Sequence, residues 1–382
     1  MLIYLGICAV LCFAGAALGA AFAVLPAPSF HHLAFAAGAM PLVFGAIIHF
    51  VPVLTRSAPA GRLIHYLPLP VQGAGIATAL ALAGSLSYWS LHAAASVVAL
   101  AALVMTFWIA RRLRATLGAS HPGARWYGAA LLCLFFAVSL VPVWLALPEL
   151  RVPLRLFHLH LNTLGFIGLA ALGTLPVLLP TVVGRGDPQA GARLFRDLPP
   201  AVAGALLVAA GAAGTLWLAL PGMGLLLWVV ARNLRDWRRA FGLREILGAG
   251  GTAPLLAASG GLALLLLLGG AHGAGWLPAR PAIAAFAGLF LLPLVTGALA
   301  QLLPVWRHPG PDGERRRRLQ RRLIRGGVAR ALLFLAGGVL LAWDASVGWL
   351  FVLAGLLLFC AALAQALFLD RDGRSDDNPR PD

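Results

Sequence analysis

Apolar residues along this chain do not alternate with polar ones. They run in long blocks, and the short segments between the blocks hold most of the charge. A helix needs about 20 consecutive apolar residues to cross the hydrocarbon core of a bilayer. On that rule the pattern predicts twelve transmembrane helices, over 2–25, 30–54, 67–88, 91–110, 126–147, 157–183, 200–218, 221–236, 252–271, 281–306, 327–343 and 346–369. The seventh and eighth are the shortest, separated only by Leu218–Gly222.

The connecting segments carry a second pattern. Cytoplasmic loops concentrate Arg and Lys. With the N-terminus inside, the chain's 29 basic residues leave only Arg151, Arg155 and Arg280 on the opposite side, and the other 26 fall on the cytoplasmic face. The cytoplasmic set includes Arg111, Arg112 and Arg114, the group Arg232 to Arg244, and the dense run Arg315–Arg325. Both termini are therefore expected to be cytoplasmic, in a bacterial cytoplasmic (inner) membrane.

The blocks also repeat, as a search for internal periodicity reveals. An offset of 128 aligns His32 with His160, Gly45 with Gly173 and Pro52 with Pro180. An offset of 252 aligns Pro41-Leu42-Val43 with Pro293-Leu294-Val295 and Pro52-Val53 with Pro304-Val305. The fourth blocks of the first two units end alike, in Trp108-Ile-Ala-Arg111-Arg-Leu-Arg114 and Trp228-Val-Val-Ala-Arg232-Asn-Leu-Arg235. The expectation is a single membrane domain over 1–370 built of three four-helix units, about 1–120, 121–245 and 246–370. Four helices per unit give parallel repeats about an axis along the membrane normal.

Composition agrees. Hydrophobic residues make up 60% and charged residues 11%, against about a quarter charged in soluble domains. The net charge of +16 suggests nucleic acid, but the arginines sit between apolar blocks as topology signals, which argues against that partner and for the lipid bilayer. Every basic residue is Arg and none is Lys, as a GC-rich genome produces. The four cysteines (Cys8, Cys12, Cys133, Cys360) lie inside apolar blocks and make no disulfide framework. The first block has no basic segment before it and reads as a retained helix. The tail 371–382 is polar and expected to be disordered.

Chemistry concentrates at two helix starts: Phe30-His31-His32-Leu-Ala-Phe-Ala-Ala-Gly38, and Phe157-His158-Leu-His160-Leu-Asn162-Thr163-Leu-Gly-Phe. Twelve helices in three four-helix arcs, with histidines at the outer ends of second helices, resemble the heme-copper oxidase catalytic subunit. Its small relatives of the NnrS type, reported to bind heme and copper, look closer still. The resemblance covers the architecture of nearly the whole chain and the motifs of two helices. It implies an all-α membrane fold of pseudo-threefold arcs and a redox or respiratory-chain partner. The departures matter. In the oxidases helix 10 gives a histidine to each heme and helix 7 gives two copper ligands; here position 284, equivalent to His32, is Ala, and neither helix carries a histidine. The helix-6 copper ligand linked to tyrosine has no counterpart. A terminal oxidase is not expected.

A reduced site is the remaining expectation. Imidazole ligates heme iron and copper, so His32 and His160, at equivalent positions, are the candidate cofactor and metal ligands. Gly38, Gly165 and Gly168 would leave room for a macrocycle. His31 and His158 are secondary candidates, since neighbours on a helix diverge by about 100° and i, i+2 pairs by about 200°. Helix-end histidines also serve as caps or bond a carbonyl. His49 and its third-unit equivalent Gln301 form either a polar step at one depth, with His49 a weak metal candidate, or interhelical packing bonds. Asn162 and Thr163 either orient a ligand or bond another helix. Cys8 and Cys12, four apart, can hold a soft ion or act as small hydrophobes. His65, His92, His121, His272 and His308 read as interfacial, and the loop Arg307–Arg325 as attractive to anionic headgroups. The leading expectation is an NnrS-like protein binding heme and copper near the outer leaflet, with a role in nitrosative or metal stress. The alternatives are a permease for metal, heme or a small solute, and a ligand-free assembly scaffold.

Overall fold

The computed structural model describes residues 1–277, 282–310 and 313–372, and every regular element among them is helical. Eleven helices among those residues are long and apolar enough to cross a membrane. In chain order the long helices are α1 (Leu2–Ala21), α2 (Ala27–Leu54), α3 (Pro68–Leu82), α4 (Trp89–Ala115), α5 (Gly123–Ala146) and α6 (Pro148–Val183). They continue as α7 (Ala190–Ala213), α8 (Leu216–Phe241), α9 (Ala253–Gly273), α10 (Ala282–Arg307), α11 (Gly327–Ala342) and α12 (Gly348–Asp372). Arg280 and the tail beyond Asp372 lie outside the described residues. α12 is still helical where the polar tail begins, at Asp370.

One expected span comes out short. Residues 67–88 yield only the 15-residue α3, about 22 Å at 1.5 Å per residue against a core of about 30 Å. Pro68 and Pro70 stand in its first turn, and the chain turns away at Gly84, whose φ of 82° suits glycine.

Three helices are set apart by burial. In α2, α6 and α10 the buried share of the apolar 18-residue stretch is 67%, 72% and 78%, while in the other eight spans it is 28–44%. These three are second in each expected unit, and each departs from α-helical geometry at the same place. A π-helical stretch runs over Leu33–Ala39 in α2, Leu161–Gly168 in α6 and Ala287–Leu291 in α10. The first two start 128 residues apart, and the first and third end 252 apart, matching the sequence offsets. A π turn admits an extra residue and re-aims the side chains around it. The stretch in α2 packs on α1 and α3, that in α6 on α5 and α7, and that in α10 on α9 and α11. Outer helices join in sequence, α4 to α5 and α8 to α9, and α12 returns to α1.

Contacts between these helices rely on small residues. A Cβ on Gly75 of α3 would lie 2.3 Å from the Ala36 carbonyl oxygen, and one on Gly261 of α9 only 1.9 Å from that of Leu289. Both carbonyls belong to π stretches. In lipid, helices gain little from hiding apolar surface from one another, so such close approach supplies the attraction.

α7 and α8 extend well beyond their expected blocks into charged sequence, α7 starting ten residues earlier at Ala190 and α8 ending at Phe241. Ion pairs make this possible. Asp197 pairs with Arg196 at 2.8 Å and Arg232 at 3.5 Å; Asp236 meets Arg193 at 3.4 Å, Arg196 at 3.5 Å and Arg235 at 3.6 Å; and Asp187 pairs with Arg193. The matched Trp–Arg motifs of the fourth helices also share a contact: Arg112 lies 5.2 Å over Trp108 and Arg232 4.1 Å over Trp228. Arg112 further donates to the carbonyls of Ala58 and Pro59, tying α4 to the α2–α3 loop.

Candidate functional site

The end of the bundle opposite these arginine clusters carries the histidines. Pro26 precedes α2 in extended conformation and Pro28 sits in its first turn, where proline starts a helix well. His32 falls one turn later, immediately before the π stretch, and His160 holds the same place in α6. Helical side chains lean toward the N-terminus, and both imidazoles do so. Nδ1 of His32 lies 2.7 Å from the Pro28 carbonyl oxygen, and Nδ1 of His160 lies 2.8 Å from that of Leu156.

A carbonyl oxygen can only accept, so each Nδ1 carries the proton and each Nε2 is left as the lone-pair nitrogen. That is the state in which histidine ligates a metal, with the second nitrogen anchored to a backbone carbonyl. His158 and His272 are held the same way, by the carbonyls of Ala137 at 2.9 Å and Leu277 at 3.3 Å. Four histidines at this end therefore share one tautomer. His32 and His160 are half-buried, neither sealed in the core nor fully in solvent.

Their groupings differ from the expected pair. A charge on His32 would be felt at His158, and one on His272, expected only to be interfacial, at His160. His272 ends α9 and His160 sits on α6, so no local sequence pattern links them. His158 faces α5, against the Ala137 carbonyl and edge-on to Trp144 at 5.1 Å. His31 stacks edge-on to Phe30 at 4.4 Å, and its Nε2 is buried without a hydrogen-bond partner.

The supporting residues behave differently from expectation. Asn162 donates to the His158 carbonyl at 2.8 Å and Thr163 to that of Leu159 at 2.9 Å, so these bonds stay within α6 and join no second helix. A side chain four residues along from a free helical carbonyl finds it before any neighbour. The glycines expected to seat a macrocycle are filled. Gly38 faces the Cβ of Cys12 and the ring of Phe13, Gly165 faces Cys133, and Gly168 faces its own helix at the Thr163 carbonyl. Near the other end, His49 stands edge-on to Trp306 at 5.8 Å and Phe50 at 5.2 Å, while Gln301 accepts a bond from Gln320. All four cysteines are free thiols.

Among the described residues no group of three or more His, Cys, Asp or Glu side chains gathers at metal-holding spacing. Two imidazoles alone suit a ligand that brings its own donors. Heme is such a ligand, since its ring supplies four nitrogens and leaves the axial positions to protein; low-coordinate copper is another. No protein-family model, curated protein or solved structure matches this chain.

Proposed function

We propose that this chain is a non-oxidase membrane protein of the heme-copper oxidase type, similar to NnrS, that binds heme through His32 and His160. Copper is the second candidate ligand. The observation that carries this reading is the matched pair of imidazoles. Each is anchored by Nδ1 to the carbonyl one turn back, each presents Nε2, and each opens a π stretch in a buried helix. The reading includes twelve helices in three quasi-equivalent arcs, with α3 the short member. It is supported by the register of the three π stretches, the burial of α2, α6 and α10, and the packing of α12 on α1. The arginine distribution supports the reading that both termini lie on the cytoplasmic side of a bacterial membrane.

Heme, when bound, would supply a redox-active iron, and a small diatomic ligand would reach it only by displacing one of the two histidines. The chain's own part is to hold Nε2 toward the ligand and to fix the tautomer through the Pro28 and Leu156 carbonyls. His158 and His272 are the further imidazoles at this end of the bundle that could exchange with a ligand there. The third equivalent position is Ala284, so the arc built on α10 offers no donor. That asymmetry, with the filled glycine positions, argues against oxygen reduction at a binuclear centre, and the role proposed is sensing or protection under nitrosative or metal stress.

The same two observations favour a second reading: a permease for metal, heme or a small solute that uses the histidines transiently. A ligand-free scaffold is the third. A visible spectrum with metal analysis of detergent-purified protein separates them. The heme reading expects a Soret band in wild type that vanishes in His32→Ala/His160→Ala. Colourless protein with substrate-dependent flux would favour the permease, and neither band, metal nor flux would leave the scaffold.

A further inference from the structure

Between α10 and α11 lies a 12-residue helix, Gly313–Ile324, with the sequence GERRRRLQRRLI. Leu319 and Leu323 are buried, while Arg317, Arg318, Arg321 and Arg325 are exposed. Arg315 and Arg322, four before and three after Leu319, share its face and are half-buried. The helix is fastened at three points. Its leucines pack inward, and Gln320 donates to Gln301 of α10. Arg330 of α11, fully buried, donates to the carbonyls of Leu323 at 3.0 Å and Arg325 at 2.9 Å while lying 5.1 Å over the Phe359 ring of α12. A cation on the last carbonyls of a helix offsets the negative end of its dipole.

Beside this helix a shallow groove runs between α1, α10 and α12. Its walls are Ile3 and Ile7, Leu303, and Leu363, with Leu319 and Leu323 closing it; the one charged residue lining it is Arg307. A small, shallow apolar depression beside a dense basic helix has the polarity of a phospholipid with a negative headgroup. Over residues 307–325 eight arginines stand against two acids, Asp312 and Glu314. A zwitterionic lipid brings no net charge to meet them.

We propose that this groove is a binding site for an anionic diacyl phospholipid. One acyl chain lies along Ile3, Ile7 and Leu363, and the phosphate meets Arg307 and the arginines flanking Leu319 and Leu323. The planar guanidinium matches phosphate oxygens two at a time. Basic pockets between transmembrane helices on the cytoplasmic side bind such headgroups. The site is at the opposite end of the bundle from the histidines and stands whether or not heme binds.

The test is native mass spectrometry of delipidated full-length protein in detergent. It is titrated with phosphatidylglycerol or with phosphatidylcholine of the same acyl chains. Phosphatidylglycerol is expected to bind at least tenfold more tightly and to resist displacement by glycerol 3-phosphate, which carries the phosphate without the chains. Arg307→Gln/Arg322→Gln should erase the preference. Leu363→Trp, which fills the groove and keeps every charge, should weaken phosphatidylglycerol binding at least tenfold. A melting temperature near wild type certifies that each variant is folded, and Leu363→Trp decides alone if the arginine variant is not. Equal binding of the two lipids, a preference surviving Leu363→Trp, full displacement by glycerol 3-phosphate, or a dimer that excludes lipid would each overturn the proposal.

Discussion

Replacing Asp197 by alanine tests how α7 and α8 carry so much charge. The Asp197 side chain is 3% exposed and joins Arg196 at 2.8 and 3.0 Å and Arg232 at 3.5 Å. Arg196 is 42% exposed, so solvent screens that pair and its share is at most about 1 kcal/mol. Arg232 is different: 11% exposed, stacked on Trp228, with a buried Nε that has no partner. At 3.5 Å and an effective dielectric of about 20, the attraction is about 5 kcal/mol before desolvation is subtracted. Stranding one member of a buried pair costs about 3–5 kcal/mol. Asp236, already 3.5 Å from Arg196, retains part of the network. The expected loss is therefore about 3 kcal/mol, most of it from Arg232. Reversible unfolding in mixed micelles measures it, with Glu245→Ala as the control. The Arg185–Glu245 pair is 57% and 37% exposed, and its loss should cost under about 1 kcal/mol. The double variant Asp197→Ala/Arg232→Ala should recover about 2 kcal/mol of the single loss. If Asp197→Ala costs no more than Glu245→Ala, the ion pairs do not explain the extended helices.

Two further outcomes follow from packing and titration. Gly261→Ala forces a methyl to within 1.9 Å of the Leu289 carbonyl oxygen and should cost about 3 kcal/mol or more, whereas neighbouring Gly260→Ala meets nothing within 4 Å and should change stability by under about 1 kcal/mol; unfolding of the pair measures both. His121, in the α4–α5 loop, accepts a bond at Nδ1 from the Gly123 amide at 3.2 Å, and burial holds its pKa below the ordinary 6.5. The unfolded chain then takes up a proton near 6.5 that the folded chain refuses, so stability is full above pH 6.5 and falls as pH drops through that value. Melting temperatures between pH 7.5 and 5 should show this decline, and His121→Gln should flatten it; an equal decline in the variant would place the effect elsewhere.

Much of the fold is legible in sequence because a bilayer demands long apolar blocks, and the blocks stand out. The boundaries fail where a second force acts. α7 and α8 outrun their blocks because Asp187, Asp197 and Asp236 neutralise the arginines beside them, a cancellation that residue-by-residue hydropathy cannot represent. α3 falls short because it ends at Leu82 and the chain turns away at Gly84, before the expected end at 88. The π stretches leave no mark at all: Leu33–Ala39 reads as ordinary apolar helix, and the extra residue is accommodated by packing on α1 and α3.

The candidate site is legible through the repeat. The offset of 128 pairs His32 with His160 in the sequence itself, and the two imidazoles are held alike. His272 is invisible in that register because neither offset pairs it with another histidine. Gly38 and Gly165 are ambiguous for a chemical reason. A missing Cβ opens space for a cofactor or for a neighbouring helix, and here Cys12, Phe13 and Cys133 take it.

The measurement that tests the central claim most directly is a hemin titration of the detergent-solubilised apoprotein, followed at the Soret band. It compares wild type with His32→Ala, His160→Ala and His158→Ala. The account predicts saturable, stoichiometric binding in wild type, a loss of at least tenfold in affinity for His32→Ala and His160→Ala, and a smaller effect for His158→Ala. Undiminished binding in the first two variants, or none in wild type, would contradict it.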